Sequence, residues 1–171
     1  MRTEMEIPGA TLTLLEKHAD ERGSFGEIMR AAMYSEDFVQ ANHSRSRAGV
    51  LRGLHYHRHQ ADLWYLVRGR MQVGLADLRA PRDPPATASL VLDSDAPTVL
   101  YVPPGVAHGF LALIDIDLIY FVTRYFDATD EFGVAWDDPM LAIQWENPHP
   151  ILSERDRGNS RLRWNDIPSF S

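Results

Sequence analysis

Cysteine is absent from the 171 residues, which excludes disulfides, thiolate metal ligands and cysteine nucleophiles together. Basic charge is short as well: 17 Lys and Arg stand against 24 Asp and Glu, a formal net charge of −7. With no basic stripe to offset that balance, nucleic acid is not expected as a partner. No run of about 18 apolar residues occurs, because Asp115, Asp117 and the prolines interrupt the best candidate. The start, Met1-Arg2-Thr3-Glu4-Met5-Glu6, has no apolar signal core. These absences predict no membrane partner and a cytoplasmic location. Internal repeats, low-complexity tracts and linkers are also missing, so residues 1–171 are expected to form one domain, long enough to bury a real core.

What is present is a series of short alternating segments between turn signals. Leu12–Leu15, Phe38–Asn42, Gly49–His57, Leu63–Val67, Met71–Ala76, Ser89–Leu92, Thr98–Val102 and Ile114–Tyr125 read as strands. In the last, Ile116, Leu118, Tyr120 and Val122 share one face. Arg22-Gly23-Ser24, Arg68-Gly69-Arg70, the Ala80–Pro85 loop, Asp93–Pro97 and Pro103-Pro104-Gly105 are the turns. Helix is scarce: one turn near Ser35–Phe38 and short pieces in the last 35 residues. The pattern predicts an all-β sandwich or barrel.

The densest chemistry lies in Gly49–His57. His55 and His57 are two residues apart, so on an extended strand both imidazoles face one side. Arg52, three residues before His55, would face away unless a bulge at Gly53 turned it back. A guanidinium beside imidazoles suits an anionic ligand and proton transfer near neutral pH. About fifty residues on, His108 follows the Pro103-Pro104-Gly105 turn. The two segments point to a small-molecule site on a strand scaffold.

With seven segments in order, the chain resembles a cupin-type jelly roll, and more narrowly the dTDP-4-dehydrorhamnose 3,5-epimerase family. The segments are Asp20–Glu27, Gln40–Ser44, Gly49–Tyr56, Ala107–Phe110, Ile119-Tyr120, Trp136–Pro139 and Leu152–Asp156. The resemblance runs from about Ala10 to Asp156. It implies epimerisation of a nucleotide-linked 4-keto-6-deoxysugar: a proton beside the keto group leaves on one face and returns on the other, through an enolate. That chemistry needs a base, an acid on the opposite face and support for the oxyanion. By resemblance His55 is the base, Asp156 orients its other ring nitrogen and Tyr120 is the acid. Arg52, His108, Glu131 and Arg155 match substrate contacts, while Arg22, Phe25, Glu27, Gln40 and Asn42 match positions that hold the nucleotide. The family's strand equivalent to Arg22–Glu27 reaches into a partner's site, so a homodimer is implied. No cofactor and no metal is.

Two positions depart from the family. Asp62 stands where a lysine thought to steady the enolate is usual, and Val73 where an acidic residue is common. A carboxylate repels an enolate, leaving Arg52 and His108 as the oxyanion's support or narrowing the reaction to one carbon. The same departures create a second constellation. His55, His57, Asp62 and His108 match metal-binding cupin spacing, three nitrogens and one carboxylate suited to Fe, Mn, Ni or Zn. On that reading the chain is a metal-dependent isomerase or dioxygenase. The plainer alternatives are a hydrogen-bonded His57–Asp62 pair shaping a sugar pocket, and a non-catalytic sugar-nucleotide binding protein.

Overall fold

The structure is a computed structural model and describes residues 2–170. Its strands are β1 (Arg2–Glu4), β2 (Thr11–Leu14), β3 (Lys17–Asp20), β4 (Gly23–Gly26), β5 (Gln40–Ser46), β6 (Leu51–Tyr56) and β7 (Asp62–Arg68). They continue with β8 (Arg70–Asp77), β9 (Thr87–Asp93), β10 (Thr98–Val102), β11 (Val106–Ala112), β12 (Ile116–Val122) and β13 (Phe132–Gly133). One short helix, α1 (Glu154–Gly158), follows. A six-stranded sheet of order β1-β2-β10-β7-β12-β5 faces a five-stranded sheet of order β13-β6-β11-β8-β9, and β3-β4 form a separate hairpin. This all-β arrangement is a cupin-like jelly roll.

The strands bury what their alternation assigns inward. Trp64, Leu66, Leu100 and Leu118 from one sheet meet Met71, Val73, Leu75 and Phe110 from the other in a continuous core. Each aliphatic side chain fully removed from water there contributes about 1.5–3 kcal/mol. The outer faces are covered too. Ile28, Met29, Tyr34 and Phe38 pack on Leu63, Val99 and Tyr101. Val134, Leu141, Leu162 and Trp164 cover Leu54, Tyr56, Leu78 and Ala107. The C-terminal segment is strapped on by a bridge between Val50 and Ile151.

Several elements differ from the sequence reading. β11 is buried at all seven positions, so it carries no alternation to mark it as a strand. The Arg22-Gly23 turn joins β3 and β4, whose residues are all exposed; no alternation marks this hairpin, and only the family resemblance, with its strand at Arg22–Glu27, pointed to β4. Ser35–Phe38 forms no helix: Glu36 accepts a hydrogen bond from the Tyr101 hydroxyl at 2.9 Å, and Phe38 turns onto the sheet. A 3-10 turn forms earlier, at Ala31–Met33. Ile114–Tyr125 shortens to the seven residues of β12.

Candidate active site

The mouth of the roll between the two sheets holds a cavity of about 310 Å³, at the small end for a small-molecule site. Arg52, His55, Asp62, His108, Tyr120, Glu131 and Arg155 all line it. Arg52 gets there through an irregularity in β6. His55 pairs with His108 and Arg52 with Phe110, so Gly109 alone opposes both Gly53 and Leu54. The extra residue is a bulge that returns Arg52 to the histidine's side. Only glycine fits: Gly53 has φ +124°, and a Cβ there would lie 2.6 Å from the Gly109 Cα. Arg52 Nε then donates to Ser46 Oγ at 3.0 Å, which aims the guanidinium.

His55 Nε2 lies 2.6 Å from Asp156 Oδ1. A carboxylate only accepts, so Nε2 carries the hydrogen and the lone pair is left on Nδ1. Asp156 sits in α1, where Ser153 caps the helix by accepting from the Asp156 N–H. Burial pushes the Asp156 carboxyl up, but hydrogen bonds from His55, Ser153 and the Gly53 backbone, with the His55 charge, hold it below its ordinary value. It is therefore ionised at neutral pH. Tyr120 enters from β12, in the opposing sheet. Burial raises its hydroxyl above the ordinary phenol value, and the Asp62 and Glu131 charges add to the rise against Arg52. The hydroxyl keeps its proton, as an acid must.

At the rim, Arg155 pairs with Glu131 at 2.7 Å. Gln40 and Asn42 share the inward face of β5 with Ser44, which lines the cavity. Gln40 Nε2 donates to Asn42 Oδ1 at 2.8 Å, and Asn42 lies in register with Tyr120. The hairpin residues are placed elsewhere. Arg22 pairs with Asp20 at 2.6 Å, Glu27 with Arg30 at 2.9 Å, and Phe25 is 73% exposed. Arg22 and Phe25 border a separate open groove, and none of the three lines the His55 cavity of its own chain.

The second constellation is only partly assembled. His57, Asp62 and His108 are buried, with one candidate ligand atom from each lying within 4.8 Å of the others. His55 is outside that group and committed to Asp156, so the four-residue centre does not form. The expected His57–Asp62 hydrogen bond is not made either. His57 Nδ1 donates to the Asp130 carbonyl at 2.8 Å, and Asp62 accepts from Gln60 Nε2 at 2.9 Å and Trp64 Nε1 at 3.1 Å. His108 Nδ1 donates to the Val106 carbonyl at 2.9 Å, leaving a lone pair on Nε2, 3.7 Å from Asp62 Oδ2. Burial pulls His108 well below the ordinary imidazole value, more than Asp62 raises it. A neutral ring in this tautomer cannot donate to an oxyanion from Nε2, whereas Arg52 and Tyr120, in the same lining, can.

Sequence reasoning missed Trp64, Ser46, Ser153 and Phe126. Trp64 was within reach, since it shares period two with Asp62 on β7. It holds Asp62 and meets the His108 ring edge-on with centroids 5.4 Å apart. Ser46 acts across the fold, which no local pattern marks, whereas Ser153 stands three residues before Asp156, the spacing of a helix N-cap. Phe126, at the cavity edge, is 71% exposed.

The dTDP-4-dehydrorhamnose 3,5-epimerase family model matches residues 4–163. A spore coat polysaccharide biosynthesis protein of Bacillus subtilis, SpsL, is 38% identical over 145 residues, 81% of this chain and 96% of that protein. A Legionella pneumophila dTDP-6-deoxy-D-glucose-3,5-epimerase, solved with dTDP-4-keto-L-rhamnose, superposes with a TM-score of 0.89 at 30% identity, covering 98% of this chain and 94% of that one. ChmJ, a 3'-monoepimerase from Streptomyces bikiniensis solved with dTDP-quinovose, superposes with a TM-score of 0.86 at 28% identity, covering 92% and 86%.

Proposed function

The chain belongs to the dTDP-4-dehydrorhamnose 3,5-epimerase family and is a sugar-nucleotide epimerase; from that premise we propose how its residues divide the reaction. His55 Nδ1 removes a proton from a carbon flanking the keto group of a dTDP-linked 4-keto-6-deoxysugar. Asp156 fixes the tautomer that makes Nδ1 the base and stabilises the imidazolium that forms. The C–H electron pair becomes the enolate double bond, and charge moves to the former keto oxygen, within reach of Arg52. Tyr120 returns a proton from the opposite face, inverting the centre; Tyr120 is then reprotonated from solvent while His55 releases its proton to solvent. Glu131 and Arg155 position the sugar-phosphate portion.

The nucleotide lies on Gln40 and Asn42 and against the aromatic face of Phe25, with Arg22 and Glu27 beside it. Phe25, Arg22 and Glu27 are exposed and remote from their own chain's cavity, which supports a homodimer in which each hairpin completes the other chain's site. The chain works as one domain, in the cytoplasm. The reaction touches one or both flanking carbons; Asp62 in place of a cation favours the narrower outcome.

The observation that carries this reading is the His55–Asp156 pair meeting Tyr120 from the opposing sheet in one cavity. The test is incubation with a dTDP-linked 4-keto-6-deoxyhexose in heavy water. Deuterium should enter at the flanking carbons, and the number of deuterons counts the carbons served. A substrate recovered without deuterium would overturn the reading.

A further inference from the structure

We propose that His57, Asp62 and His108 bind one divalent transition-metal ion beside the epimerase cavity, whose wall Asp62 and His108 share. Both histidines are held as metal ligands characteristically are. Each donates Nδ1–H to a backbone carbonyl, His57 to Asp130 and His108 to Val106. This fixes the tautomer and leaves the Nε2 lone pair for a cation. Among the described residues, neither Nε2 has a hydrogen bond. Asp62 is oriented by Gln60 and Trp64, the outer-shell support that ligating carboxylates receive.

His108 Nε2 faces Asp62 Oδ2 at 3.7 Å, beyond hydrogen-bond distance. A cation placed between them would bond both. Ligand atoms about 2.0–2.2 Å from a metal lie about 3.0–3.5 Å apart. The His108–Asp62 distance is nearly that already, and one candidate ligand atom from each of the three residues lies within 4.8 Å of the others. Two imidazoles and one carboxylate suit Zn²⁺, Fe²⁺, Mn²⁺ or Ni²⁺ and leave coordination positions open. His55 stays free to act as base, because it lies outside the set.

The ion's use rests on the epimerase reading, although its binding does not. Asp62 and His108 line the His55 cavity, so an ion held by them would face the same space as Arg52 and Tyr120. A bound ion inverts the local charge there. It would take the keto oxygen as a ligand while His55 takes the proton and the C–H electron pair enters the enolate.

The test uses the full chain stripped with a chelator and titrated with Co²⁺ alone, followed by visible d–d absorption and calorimetry. One ion per chain is expected. Asp62→Asn, which keeps the shape of the side chain, and His57→Gln should each weaken binding at least about 100-fold, while His55→Ala keeps it. Absence of d–d bands in the parent overturns the site without recourse to any variant's folding, as does unchanged affinity in both ligand variants. Deuterium exchange then separates the two ideas. Exchange that needs Co²⁺ supports the ion's role, equal exchange in stripped and loaded chain overturns that role, and no exchange in either overturns the epimerase chemistry.

Discussion

Replacing Asp156 with Asn tests the catalytic pair most directly, since the substitution keeps shape and removes charge. The carboxylate accepts from His55 Nε2 at 2.6 Å, and the Ser153 hydroxyl and Gly53 backbone also bond to it. An Asn amide cannot serve all three. If Nδ2 faces His55, it donates to Nε2, moves the ring hydrogen to Nδ1 and removes the base. If Nδ2 faces the backbone, two donors oppose each other. General-base catalysis is worth about 10²–10⁴-fold, so deuterium exchange should fall by that factor, about 2.7–5.4 kcal/mol in barrier at 1.36 kcal/mol per decade. Stability should fall less, by about 1.5–3 kcal/mol for a hydrogen bond to a charged group. The assays are exchange followed by NMR and urea unfolding followed by circular dichroism. The linkage sign gives a second readout. With its folded value depressed, Asp156 stabilises the parent fully above the unfolded carboxyl value of about 3.9, and that stabilisation is lost as pH falls below it. The Asn variant should lack this part of the acid slope. A folded variant exchanging within about tenfold of the parent would refute the orienting role.

Other perturbations separate the remaining parts. Tyr120→Phe should keep dTDP affinity and let deuterium enter faster than the epimer forms, because only return from the opposite face is impaired; equal slowing of both, measured by NMR, would count against it. Gly53→Ala forces a Cβ to 2.6 Å from Gly109 at φ +124°, so urea unfolding should show a loss of about 2–5 kcal/mol from strain and overpacking; a loss below about 1 kcal/mol would mean the bulge is not tight. Mixing His55→Ala with Phe25→Ala chains should restore about a quarter of parental activity through random exchange between dimers, whereas sites built within one chain would restore none.

How much was legible before the fold was known depended on whether a residue's surroundings lay nearby in sequence. The inward stripe of Ile116, Leu118 and Val122 was plain because one face of β12 meets the core. The Gly53 bulge was legible because Arg52 could join His55 only by an extra residue. β11 escaped because the C-terminal segment covers its outer face, erasing polar alternation. The β3–β4 hairpin shows no alternation for the opposite reason, with both faces in water, and only the family resemblance pointed to its second strand. At the site, Asp62 and His108 could be grouped from spacing. That His57 answers to the Asp130 carbonyl, 73 residues away, depends on how the loop before β13 folds back.

The helix carrying Asp156 and Arg155 is five residues long, far below the about 12–15 residues at which a helix stands alone in water. Its place is borrowed from the strap at Ile151 on one side and from Leu162, seated among Leu54, Tyr56 and Leu78, on the other. Asp156 is 101 residues from His55 along the chain, and closing so large a loop is favourable only once both sheets exist to receive it. Turnover therefore reports completed assembly, not merely β content. A chain ending before Ser153 could raise its sheets and still have no oriented base.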